Sequence, residues 1–164
     1  IPAHFHAHRA DDIFTAIRIA KEFNLDLVLV HATEGYMILD ELKEENIPVL
    51  AGPYMTDRSK PELKNLSRAA TGIMSNNGIK TAIITDHPET PIQFLPLTAA
   101  VAVREGMDEY DAIRAITSTA AKIYNRVGSI EIGKDADIVL FNDSPLDVMK
   151  KPKAVIAGGK FINS

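Results

Sequence analysis

IPAHFHAHRADDIFTAIRIAKEFNLDLVLVHA, residues 1–32, decides the fold. It begins extended, with Pro2 near its start, and carries His4, His6 and His8 at every second position. DDIFTAIRIAKEF (11–23) has helical spacing: Ile13, Ala16, Ile17 and Ala20 share one face, and Asp11 and Asp12 suit its positive N-terminal end. LDLVLVHA (25–32) is a continuous apolar run of strand character. Strand, amphipathic helix and strand in succession make a parallel βαβ unit. Unbroken apolar strands are those buried on both faces, as in parallel sheets.

The alternation continues downstream. Residues 34–46 predict a helix, and IPVLAG (47–52) a third strand closed by Gly52-Pro53. Residues 59–77 predict a helix with Pro61 in its first turn, ended by Gly78. IKTAIITD (79–86) is a fourth strand, followed by helices over 91–107 and 108–125. Beyond residue 126 the chain becomes short, extended and Gly-punctuated, with Gly158-Gly159 as a hairpin turn. Residues 1–126 therefore form a parallel α/β unit, and 127–164 a small β-rich segment.

Composition excludes several classes. The 164 residues carry a net charge of −4 with both signs interspersed, which disfavours nucleic-acid binding. There is no cysteine, hence no disulfide framework and no thiolate metal site. No apolar run approaches the roughly 18 residues of a membrane span, and no signal peptide is visible. The expectation is a cytoplasmic protein with a small-molecule substrate, no nucleic acid and no membrane. No strand-end loop has the Gly-rich pattern of a phosphate cradle.

Parallel α/β folds bind ligands beyond the carboxyl ends of their strands. All five histidines fall there: His4, His6 and His8 after the first strand, His31 after the second, His87 after the fourth, beside Asp86. A single such histidine is ordinary; five at one rim, joined by a carboxylate, point to a metal or catalytic site. Imidazole and carboxylate without thiolate suit zinc, manganese, iron or nickel. An aspartate beside a metal-activated water can take its proton and aim the resulting hydroxide at a carbonyl, which hydrolyses amides, esters or amidines.

Four stretches in order, HAHRADDIFTAIRIAKEF, LVLVHATEGY, IITDHP and AITSTAAKIYNRVGSIEIGKDADIVLFNDSPLDV, resemble the amidohydrolase superfamily. The likeness is to its imidazolonepropionase-like and Xaa-Pro dipeptidase-like branch, over its C-terminal half only. The resemblance implies the C-terminal half of a (β/α)8 TIM barrel, strands five to eight, followed by strands of a composite β-sandwich. It also implies a divalent metal, zinc first, held by His6, His31 and Asp86. Asp86 would act as proton shuttle and His31 as second-metal ligand or carbonyl polariser. Arg9 matches a substrate-contacting position, and His8 and His87 are assigned to the substrate pocket. His4 and His8 stay open as alternatives to His6.

The family's remaining ligands, a His-x-His pair on the first strand among them, precede this sequence. A complete barrel takes about 250 residues. With Ile1 in place of an initiator methionine, the expectation is a fragment whose parent hydrolyses a C–N bond in a cyclic amide, amidine-type ring or dipeptide. The isolated chain is expected to be inactive. The competing expectation is a non-catalytic half-barrel that self-associates, with a second copy or the missing N-terminal half covering its open edges.

Overall fold

A computed structural model describes residues 2–124 and 129–162. Strands β1 (Ala3–Ala7), β2 (Leu27–His31), β3 (Val49–Ala51) and β4 (Thr81–Ile83) form one sheet in that order. Every neighbouring pair is parallel, with Phe5 opposite Leu29, Leu29 opposite Val49, and Val49 opposite Thr81. Helices α1 (Ala10–Glu22), α2 (Leu39–Glu44) and α3 (Ala70–Asn76) link consecutive strands. Helices α4 (Leu95–Arg104), α5 (Glu109–Ala115) and α6 (Ser118–Tyr124) follow β4. The architecture is α/β, as the alternation of apolar runs predicts.

Pleating divides the strand residues between two apolar cores. Ala7, Leu27, Leu29, Val49 and Ala51 pack with Ile13 and Ile17 of α1, Leu42 of α2 and Met74 of α3. On the opposite face Val28, Val30, Leu50 and Ala82 pack with Ala120 and Ile123 of α6. This double burial explains the continuous apolar strands. A third cluster joins Ile83 and Tyr54 to Ala99 and Ala102 of α4 and Ala112 and Ala115 of α5. Tyr54 donates its hydroxyl to the Thr98 carbonyl at 2.7 Å, and burial pushes its phenol pKa well up.

A separate antiparallel sheet comprises β5 (Ile138–Leu140), β6 (Ala154–Ala157) and β7 (Lys160–Ile162). Gly158 and Gly159, with φ of 55° and 76°, make the two-residue turn between β6 and β7, the geometry that needs positive φ at both positions. The domain boundary expected at 126/127 lies outside the described residues.

Four expected helices are shorter or broken; that over 91–107 opens as a 3-10 turn (Ile92–Phe94) before α4. Residues 59–77 form a 3-10 turn (Pro61–Leu63) and only then α3. Between them Ser67 Oγ accepts from the Ala69 amide and Asn65 bonds to distant loops, so local polar groups compete with helix hydrogen bonds. The helix over 108–125 divides between α5 and α6, where Thr117 donates its hydroxyl to the Ile113 carbonyl at 2.7 Å. The helix over 34–46 opens as a 3-10 turn (Gly35–Met37) before α2.

Candidate functional site

Strand alternation places His4 and His6 of β1 on the sheet face shared with Val28 and Val30, their register partners. His4 lies inside β1 rather than at its end, and His8 lies just beyond Ala7. His31 is different. Its register partner is Ala7, and alternation with Leu27 and Leu29 would send its side chain to the helix-packed face. Instead His31 has φ 74° and Ala32 has φ 44°. A left-handed backbone at a non-glycine residue costs about 1 kcal/mol or more and is characteristic of functional sites. Here it re-aims the imidazole over the rim, where its ring centroid is 5.0 Å from His6 and 4.4 Å from His8.

Three hydrogen bonds hold this turn. The Ala32 amide donates to Ala7 O at 2.9 Å, and the Glu34 amide donates to His8 O at 2.9 Å. His31 Nδ1 lies 2.7 Å from the Gly52 carbonyl. Gly52 has φ 134°, and a Cβ there would come within 2.2 Å of the Ile84 carbonyl oxygen. Only glycine lets β3 exit this close to β4 and aim its carbonyl at His31.

That carbonyl can only accept, so His31 Nδ1 carries a proton and donates it, and Nε2 faces the rim. His6 Nδ1 lies 3.1 Å from that Nε2. His8 stacks on His31 with an interplanar angle of 11°, and its Nδ1 lies 2.8 Å from Thr33 Oγ1. Burial lowers the His8 pKa below 6.5, reinforced by His31 and Lys60 and opposed by Glu62 and Asp86. Near neutral pH His8 is an uncharged ring.

Two nitrogens on one tetrahedral zinc at about 2.0–2.1 Å each lie roughly 3.3 Å apart, so the His6–His31 pair fits two corners of such a site. The carbonyl behind His31 is the partner that metal-ligating histidines characteristically use. His8 does not join the pair, because parallel stacked rings cannot aim in-plane lone pairs at one point. Asp86 is not drawn in either: among the described residues no three His, Asp or Glu side chains converge in a way that could hold an ion. The expected set of His6, His31 and Asp86 is thus assembled only as its two imidazoles. Asp86 is exposed just beyond β4, with φ 50°.

The other expected residues divide. A cleft of about 480 Å³ is lined by His6, His8 and Arg9, with Asp12, Pro61 and Glu62. Arg9 grips Asp11 in two parallel hydrogen bonds of 2.9 Å, both side chains exposed. This pairing raises the arginine pKa and lowers that of the carboxylate. His87 is exposed on the loop after β4, its Nδ1 accepting from the Ile92 amide at 3.3 Å.

Three residues escaped the sequence reading: Thr33, Gly52 in its role as the carbonyl acceptor for His31, and Glu34. Glu34 accepts from the Ala10 amide at 2.7 Å and from Asn65 Nδ2 at 2.8 Å. The one signal was their position in LVLVHATEGY and at a strand end.

Residues 2–162 match the model of the amidohydrolase family. The chain belongs to that family. It is 44% identical to an amidohydrolase from Thermotoga maritima MSB8, with a TM-score of 0.94, covering 99% of this chain and 43% of that one. It is 24% identical over 161 residues to amidohydrolase tasK of Hapsidospora irregularis, covering 94% of this chain and 16% of that protein. The chain therefore spans less than half the length of these relatives. A Xaa-Pro dipeptidase with methionine bound in its active site shares the fold, with a TM-score of 0.75 at 21% identity over 45% of its length.

Proposed function

We propose that this amidohydrolase-family chain supplies part of the active site of a metal-dependent hydrolase that cleaves a C–N bond. The observation that carries the reading is the His6–His31 pair, 3.1 Å apart, with His31 Nδ1 donating to the Gly52 carbonyl so that Nε2 faces His6. His6 and His31 would hold a divalent cation, zinc first and manganese, iron or nickel as alternatives. Such a cation supplies a Lewis acid for the scissile carbonyl and acidifies water.

The chain's own residues do the rest. Asp86, exposed at the rim beyond β4, takes the proton of the attacking water and returns it to the departing nitrogen. The water oxygen forms the new bond to carbon as the C–N bond breaks. Neutral His8, whose stacking on His31 steadies that ring, lines the cleft with Arg9 as part of the substrate pocket. His87 borders Asp86 on the same loop. The substrate class is a cyclic amide, an amidine-type ring or a dipeptide.

Zinc titration by calorimetry, with metal analysis, tests this reading. Binding should weaken at least tenfold in His6→Ala and in His31→Ala. Zinc held equally well by both variants would overturn it. A second reading has its own support: only two donors converge among the described residues, and Ile132, Phe161 and Val139 expose apolar surface. On that reading the chain is a self-associating, non-catalytic half-barrel. Light scattering showing a dimer that binds no metal would favour it.

A further inference from the structure

We propose that Glu34 is the positioning residue of the histidine rim, setting the stack of His8 on His31 from outside the site. It does so by tying the exits of β1 and β2 to the segment that leads into α3. Its carboxylate accepts from the amide of Ala10, the first residue of α1, at 2.7 Å. Its other oxygen accepts from Asn65 Nδ2, on the segment between β3 and α3, at 2.8 Å. Its own backbone amide donates to the His8 carbonyl at 2.9 Å.

The consequence follows from the chain path. His8 O and Ala10 N bracket Arg9, so both ends of the short link from β1 to α1 are tied to one residue. Glu34 is itself three residues past His31, on the chain that leaves the left-handed turn. The exits of β1 and β2 are thereby held in fixed register. That register decides whether His8 lies 4.4 Å over His31 and whether His6 Nδ1 reaches His31 Nε2. The carboxylate also serves α1 as an N-terminal cap from across the rim. Arg9, the residue at the capping position, makes no side-chain cap of its own. Asn65 is held a second time, by Tyr36 donating its hydroxyl to the Asn65 carbonyl at 3.1 Å.

A charge-neutral isostere separates this role from bulk. Glu34→Gln keeps one acceptor oxygen but turns an NH2 toward either the Ala10 amide or the Asn65 amide, donor against donor. The test is imidazole 15N NMR of the metal-free chain at about pH 8, where histidines are neutral. His31 should report the Nδ1-protonated tautomer in the wild-type chain. Glu34→Gln should shift the His8 and His31 signals and mix the His31 tautomers, while His87 stays unmoved. A purely structural role would lower the melting temperature without that selective pattern. Should Glu34→Gln fail to fold, Asn65→Ala, which keeps the Ala10 cap, must move the same two histidines by less. Unmoved His8 and His31 signals in a folded variant overturn the proposal.

A second readout rests on the metal reading above: zinc affinity should fall roughly tenfold or more in Glu34→Gln. A wild-type chain that binds no zinc would sink the metal reading alone, since the metal-free spectra still decide the role of Glu34.

Discussion

His31 donates its Nδ1–H to the Gly52 carbonyl at 2.7 Å, so the backbone at the exit of β3 fixes the tautomer of a side chain on β2. Gly52 can do this because nothing but hydrogen occupies the side-chain position facing the Ile84 carbonyl, where a Cβ would sit 2.2 Å away. Gly52→Ala should therefore destabilise the chain by about 1–3 kcal/mol through the left-handed backbone alone, with the clash adding to that. Denaturant unfolding measures the loss. Zinc titration should show a loss smaller than in His31→Ala, because a displaced carbonyl leaves the imidazole present but no longer oriented. A variant as stable as the wild-type chain would contradict this account of Gly52.

The fold was legible because its cause is local. Leu27 to Val30 and Val49 to Ala51 are apolar on both sides of the pleat, and the helix between β1 and β2 has its apolar stripe in the right phase. The site was half legible. Strand ends in parallel sheets face one rim, which singled out all five histidines; the family resemblance is what named His6 and His31 among them. Their meeting could not be derived, since strict alternation turns His31 the other way and nothing in its residue type announces φ 74°. Glu34 was invisible for a different reason: its carboxylate partners, Ala10 and Asn65, lie 24 and 31 residues away in the chain. The helix over 59–77 failed for a related one, because Asn65 is spent on Glu34 and Tyr36 rather than on helical continuity.

His8 makes stability depend on pH. Burial and the neighbouring His31 lower its pKa in the fold from 6.5. Between that lowered value and 6.5 the unfolded chain binds more protons than the folded one, so stability rises with pH there. The stabilisation is full above pH 6.5 and is lost as pH falls through the folded pKa. Thermal unfolding of the metal-free chain should show this loss, reduced in His8→Gln. The Hε1 resonance of His8 should titrate with a midpoint below 6.5, and a midpoint above it would show that the charged ring is the favoured form.

Thr33 should matter through its hydroxyl and not its volume. It is buried, and its Oγ1 is the partner of His8 Nδ1 at 2.8 Å. Thr33→Val keeps the shape and strands a half-buried ring nitrogen, at a cost of about 1 kcal/mol or more. Thr33→Ser restores the oxygen and should recover most of it. Denaturation midpoints of the three proteins decide the matter; equal losses in the valine and serine variants would assign the effect to packing.

Asp86 is the residue on which the proposed reaction turns, and it is also the one the described residues leave outside any converging donor group. That separates two roles. If Asp86 moves protons, Asp86→Asn should lower kcat of the intact protein by about 10²–10⁴-fold, the usual contribution of a general acid–base group, with KM little changed. An asparagine cannot take the proton of the attacking water, yet it preserves size and exposure, so folding should survive. The isolated chain, wild-type or variant, should hydrolyse no amide at an enzyme-like rate, because two imidazoles alone make an incomplete site. Steady-state kinetics on the intact protein and an amine-release assay on the chain test both statements. Full activity in Asp86→Asn would remove Asp86 from the mechanism, and turnover by the chain alone would mean that its residues complete a site without further ligands.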